Sequence, residues 1–138
     1  MLFRSFIQAF CKIGLVPDSG GTWNLPRSVG MARAKGLALL GDRLTAETAE
    51  AWGLIWKCVD DDTLQEEAQK LARHFSTQPT VALGRIKKLL NVSFSNTLDD
   101  QLELERQAMK ELGQSEDYRE GVAAFMQKRP PNFKGGQD

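Results

Sequence analysis

The sequence predicts a mainly α-helical fold with one or two short β-strands. Three observations carry this expectation. Helical periodicity and capping residues occupy almost everything after Gly20. Only Phe3–Val16 and Leu54–Val59 are apolar without a 3.6-residue period, the pattern of extended chain buried on both faces. Glycine or proline stands at the expected end of nearly every helix.

The helices follow in order. Gly21–Val29 is short, Ala32–Leu40 ends at Gly41, and Thr45–Trp52 ends at Gly53. Thr63 and Glu66 have the spacing of a capping box, and the helix they open carries Leu64, Ala68, Leu71, Ala72 and Phe75 on one face. It should stop near Gln78, ahead of Pro79. Pro79 suits the first turn of the next helix, whose stripe of Ala82, Ile86, Leu89 and Leu90 lies opposite Arg85, Lys87 and Lys88. Thr97–Leu112 repeats the pattern with Leu98, Leu102, Met109 and Leu112, and Gly113 is a suitable stop. Ser115, Glu116 and Asp117 form a standard helix start, and the helix they open carries Tyr118, Val122, Phe125 and Met126 on one side. Pro130 and Pro131 break it, and residues 134–138 read as a disordered tail.

Composition removes several classes of function. Eighteen basic residues balance eighteen acidic ones, so the broad attraction that drives non-specific binding to nucleic acids or membranes is missing. Cys11 and Cys58 have no partners at zinc or CxxC spacing, which leaves buried, reduced thiols and no metal site. No run approaches the roughly 20 apolar residues of a membrane span, and the first ten residues lack a signal-peptide layout, so the cytoplasm is the expected location. Two strands with no further sheet to join also suggest part of a larger structure.

The chemistry centres on "KIGLVPDSGGTWNLP", Lys12–Pro26. No Gly-Lys-Ser or Gly-Lys-Thr follows the glycine pair, so this is no phosphate loop. Spacing leaves two readings of Asp18. Asp18 or Ser19 caps the helix that starts near Gly21, or Asp18 is a general base in a dry pocket made by Ile13, Leu15, Val16 and Trp23. Arg85, Lys87 and Lys88 read as a solvated face, with a phosphate site as the alternative. His74 has no recognisable catalytic partner and reads as structural, and Trp23, Trp52 and Trp56 read as core.

The string "GLVPDSGGTWNLPRSVGMARAKGLALLGDRLTAETAEAWGLIWKCVD", Gly14–Asp60, resembles the enoyl-CoA hydratase/isomerase (crotonase) superfamily, and "YREGVAAFMQKRPPNF", Tyr118–Phe133, resembles its closing segment. The resemblance is to the C-terminal half of such an enzyme. It implies the end of a crotonase-like α/β spiral core over residues 1–60 and a helical trimerisation region over 61–133. It also implies that the backbone oxyanion hole belongs to the other half, and that the 138 residues alone are inactive.

Typical hydratases of the family place a glutamate where this chain has Phe10, after Ala9. The residue after the proline is usually glycine, whereas family isomerases that shift a double bond or rearrange a ring epoxide have an aspartate, as here. The resemblance therefore implies an acyl-CoA isomerase with Asp18 as its proton-transferring base, and no metal or redox cofactor. Coenzyme A enters as part of the substrate, with Phe125 and Lys128 in "AFMQKR" as its contacts; helix packing and a solvated charge are their bland readings. Trimers or hexamers are the implied assembly. A hydratase half, or a non-catalytic helical oligomerisation module, is the alternative.

Overall fold

In the computed structural model, which describes residues 5–136, only Ser5–Ile7 of the first apolar run forms a strand, β1. It pairs antiparallel with Arg43–Thr45, β2, in the register Ser5 to Thr45, Phe6 to Leu44 and Ile7 to Arg43. Phe6 and Ile7 remain largely exposed, so this run is not buried on both faces. Beyond β1 the chain winds into a 3-10 turn over Ala9–Ile13, which Gly14 ends in a left-handed conformation. Phe3 lies outside the described residues.

The second expected strand, Leu54–Val59, does not form. The N–H groups of Leu54 and Ile55 both turn back to the carbonyl of Ala49, at 2.9 and 3.4 Å. Their side chains pack on a core instead of entering a ladder. The strand that does form, β2, gave no sequence signal because three residues are too few to display a period.

The chain divides into two compact units between Gln65 and Glu66. The first contains helices α1 (Gly21–Val29), α2 (Met31–Leu40) and α3 (Ala46–Ala51) beside the two strands. Leu25 and Val29 of α1, Ala34 and Leu37 of α2, Leu44 of β2 and Ala49 of α3 form its buried cluster, flanked by Trp52, Leu54 and Ile55. Burying these side chains is what makes so short a ladder viable. Thr45 caps α3 through its hydroxyl, which accepts the Thr48 N–H at 3.2 Å.

The second unit is built from α4 (Leu64–Ser76), α5 (Thr80–Ser93), α6 (Leu98–Leu112) and α7 (Glu116–Met126). Thr97 and Ser115 cap α6 and α7, accepting from the N–H groups of Asp100 and Tyr118. The capping box expected at α4 does not close: the Thr63 hydroxyl donates to the Asp60 carbonyl at 3.0 Å. Arg85 of α5 grips both carboxylate oxygens of Glu111 on α6. Of the tail expected to be disordered, Lys134 and Gly135 are tied to α7, because their N–H groups donate to Asp117 at 2.7 and 3.0 Å. The Thr80 hydroxyl also donates to the Gly135 carbonyl at 2.8 Å. Gln137 and Asp138 lie outside the described residues.

Candidate active site

The segment that carries Asp18 is built by backbone geometry. The Leu15 N–H donates to the Phe10 carbonyl at 3.0 Å, folding the chain back on the 3-10 turn. Two consecutive left-handed residues, Ser19 at φ 50° and Gly20 at φ 79°, then swing it into α1. A side chain at Gly21 would meet the Pro17 ring at 3.2 Å, so the glycine pair serves a tight turn at both positions.

The capping reading of this segment is overturned. Gly20 holds the N-cap position with no side-chain cap, and it is the Asp18 carbonyl, not its carboxylate, that accepts the Gly21 N–H at 2.7 Å. The physical reason is the pair of left-handed residues, which makes the turn from main-chain bonds alone. Asp18 is exposed, and its carboxylate has no hydrogen bond or ion pair among the described residues. Ile13 and Val16 are 73% and 76% exposed, and Leu15 and Trp23 are also open, so these residues do not by themselves enclose a dry pocket. Trp23 instead carries the Arg27 guanidinium 3.8 Å above its ring. Trp56 is likewise exposed, and only Trp52 packs against the core.

The second expected site lies at the C-terminal end of α7. Phe125 is 82% exposed, which removes helix packing as its role in this unit. Lys128 has a left-handed backbone at φ 52°. Its N–H donates to the Phe125 carbonyl at 3.2 Å and that of Arg129 to the Ala124 carbonyl at 3.0 Å. Those two bonds define a Schellman helix end with lysine where glycine is usual. A non-glycine residue there costs about 1–2 kcal/mol of backbone energy.

Glu120 anchors this end. It takes Arg129 Nη1 at 2.6 Å and Nη2 at 2.9 Å, and also the Asn132 N–H at 2.7 Å. The Arg129 hydrogen bonds first, then the Asn132 N–H, hold its carboxyl down at about 2. Phe125 and Lys128 are thus brought together in the second unit, while Asp18 belongs to the first. The Glu120–Arg129 pair escaped sequence reading because its partners are nine residues apart across a helix end, a separation with no helical spacing rule.

The remaining candidates resolve differently. Arg85 is committed to Glu111, while Lys87 and Lys88 are exposed, as a solvated face requires. His74 is exposed, and its ring lies 5.7 Å from that of Phe75. Cys11 and Cys58 are free thiols, but half-buried where full burial was expected. Cys58 opens into a cleft of about 340 Å³ with Glu47, Glu50, Asp60 and Asp61. Partial burial, then the charges of these four carboxylates, raise its thiol above the ordinary value. Among the described residues no group of three or more ligating side chains is placed to hold a metal ion, and no helix is long and apolar enough to cross a membrane.

Comparison with known proteins gives these sites a context. Over 130 residues the chain is 59% identical to the 1,2-epoxyphenylacetyl-CoA isomerase of Escherichia coli K12, covering 94% of this chain and 50% of that one. It is 50% identical over 131 residues to a Rhodobacter capsulatus protein named "Probable enoyl-CoA hydratase", covering 95% and 51% of the two chains. The crystal structure of an enoyl-CoA hydratase from Polaromonas sp. JS666 superposes with a TM-score of 0.89 at 35% identity, over 94% of this chain and 51% of that one. The chain thus spans about half the length of the relatives it matches, and its fold is that of half a crotonase-type chain. The enoyl-CoA hydratase/isomerase family model extends over residues 4–136, and the protein belongs to that family.

Proposed function

We propose that this chain carries the proton-transfer base of an acyl-CoA isomerase. Asp18 removes a proton from the acyl chain of a coenzyme A thioester and returns it at another carbon, a reaction one carboxylate can perform without metal or redox chemistry. The observation that carries the reading is the Asp18 carboxylate itself, held on the turn ahead of α1 with no hydrogen bond or ion pair among the described residues. Phe10 supports isomerisation over hydration, because the phenyl ring in the 3-10 turn cannot activate water as the hydratase glutamate does. The identity to the Escherichia coli protein supports 2-(1,2-epoxy-1,2-dihydrophenyl)acetyl-CoA, an intermediate of phenylacetate breakdown, as the substrate. Phe125 and Lys128, exposed together at the end of α7, hold the coenzyme A portion.

The 138 residues alone are inactive on this reading. Ile13, Leu15, Val16 and Trp23 are open, so water screens Asp18, and the family resemblance assigns the oxyanion donors to the other half of the chain; losing one such donor costs about 10²-fold or more. The same open apolar surface supports self-association, into the trimers or hexamers of the family. The half-buried free thiols agree with a cytoplasmic location.

The test is a chimera in which the unmatched half of the Escherichia coli relative precedes this chain. It should isomerise the CoA thioester, and Asp18→Asn should slow it by about 10²-fold or more. An Asp18→Asn chimera as fast as its parent would remove Asp18 as the base.

A further inference from the structure

Lys128 is exposed, and its ammonium has no partner among the described residues. Its backbone, by contrast, is held on both sides. Arg129 gives both arms of its guanidinium to Glu120, and its Nε to Gln127 Oε1 at 2.8 Å. Asn132 adds its N–H to the same carboxylate. One side chain from the middle of α7 therefore fastens the chain immediately after Lys128 and again four residues on. A strained left-handed residue persists only where its surroundings over-determine it, and these bonds supply that constraint.

We propose that Glu120 is a positioning residue for Lys128: acting through Arg129, it fixes the left-handed turn from which Lys128 offers its ammonium to a phosphate of the coenzyme A portion. The inference rests on the coenzyme A reading of Phe125 and Lys128 given above. Its physical basis is pre-organisation. Without the clamp, Lys128 relaxes toward the wider α and β regions and its ammonium samples many places, so binding has to order it again. The geometry also accounts for a lysine at a position where glycine would be unstrained: the ammonium is needed there, and the bidentate pair holds the turn that lysine disfavours.

Titration of the 138-residue chain with coenzyme A, combined with the NMR order parameter of the Lys128 amide, tests this. Lys128→Gln should weaken binding about tenfold, the effect of one charged contact. Glu120→Gln and Arg129→Lys should each weaken it about two- to tenfold, and lower the order parameter from about 0.85 to below about 0.6. In a Lys128→Gln background, Glu120→Gln should change affinity no further, whereas a merely structural role would weaken both backgrounds equally. Equal losses in both backgrounds, or an unchanged order parameter, overturn the positioning role and leave the coenzyme A reading standing. If the parent does not bind coenzyme A, or Lys128→Gln binds like the parent, the coenzyme A reading falls and the inference falls with it.

Discussion

Lys128 and Asp18 are both exposed polar residues on turns, and the chain treats them differently. Asp18 is not itself left-handed; the two residues after it are, Ser19 at φ 50° and Gly20 at φ 79°, and its carboxylate has no hydrogen bond or ion pair among the described residues. Lys128 is itself left-handed, and a non-glycine residue there costs about 1–2 kcal/mol. Lys128→Gly should therefore raise the melting temperature by a few degrees while weakening coenzyme A binding. Thermal unfolding by circular dichroism checks the first half of this pair. A melting temperature that stays level or falls would mean that Lys128 is not strained. The legibility of these two residues in the sequence also differed. The proline–aspartate–serine–glycine–glycine string drew attention to Asp18, but the capping role inferred from it failed, because spacing does not reveal φ. Nothing in the sequence marked Lys128 as left-handed, since only its two backbone bonds define the Schellman end.

Helix boundaries were the most legible elements because they rest on local chemistry. Ser115 caps the helix that its side chain predicted, Thr97, expected as the first helical residue, stands one position earlier as the cap of α6, and α1 spans the nine residues expected. The strands were the least legible. Apolar runs at Phe3–Val16 and Leu54–Val59 looked extended because they lack a helical period, yet most of their residues serve turns and core contacts, which share that pattern. The tail is a related case: its place at the chain terminus suggested disorder, and Asp117 and Thr80 bond the backbone groups of Lys134 and Gly135 from distant positions, which spacing does not reveal.

The closure of α7 against Asn132 has its own signature in pH. The Glu120 carboxyl is lowered from 4.5 to about 2 in the fold. Its contribution to stability is complete above about pH 4.5, declines as the pH falls, and is lost through about pH 2. Glu120→Gln should accordingly remove part of the loss in melting temperature between pH 4.5 and 2. The remainder belongs to other depressed groups such as Glu103, which Arg106 and then Gln107 hold at about 2. A Glu120→Gln profile parallel to the parent's throughout this range would show that the pair adds no stability.

At the scale of the molecule, exposed apolar residues dominate. In the second unit Ala124 is the one fully buried hydrophobic residue among those described, while Leu98, Met109, Phe125 and Met126 are each more than 70% exposed. A cleft of about 710 Å³, lined by Val81, Ile86, Met109, Leu112, Val122 and Phe133 among others, opens in the same unit. Surfaces of this kind associate. Sedimentation velocity should show species heavier than the 15.4 kDa chain, increasing with concentration. A single 15.4 kDa species at every concentration would contradict self-association.

The family was legible in the sequence because it rests on a long ordered string of glycines, prolines and apolar positions. The enclosure of the site was not, because the residues around Asp18 are open in this half of the family fold. Turnover of the CoA thioester by the chimera and its Asp18→Asn variant, with kcat and KM measured separately, tests the central claim most directly. If Asp18 is the base, kcat falls by about 10²-fold or more while KM stays nearly unchanged. An unchanged kcat, or a loss confined to KM, would contradict the assignment.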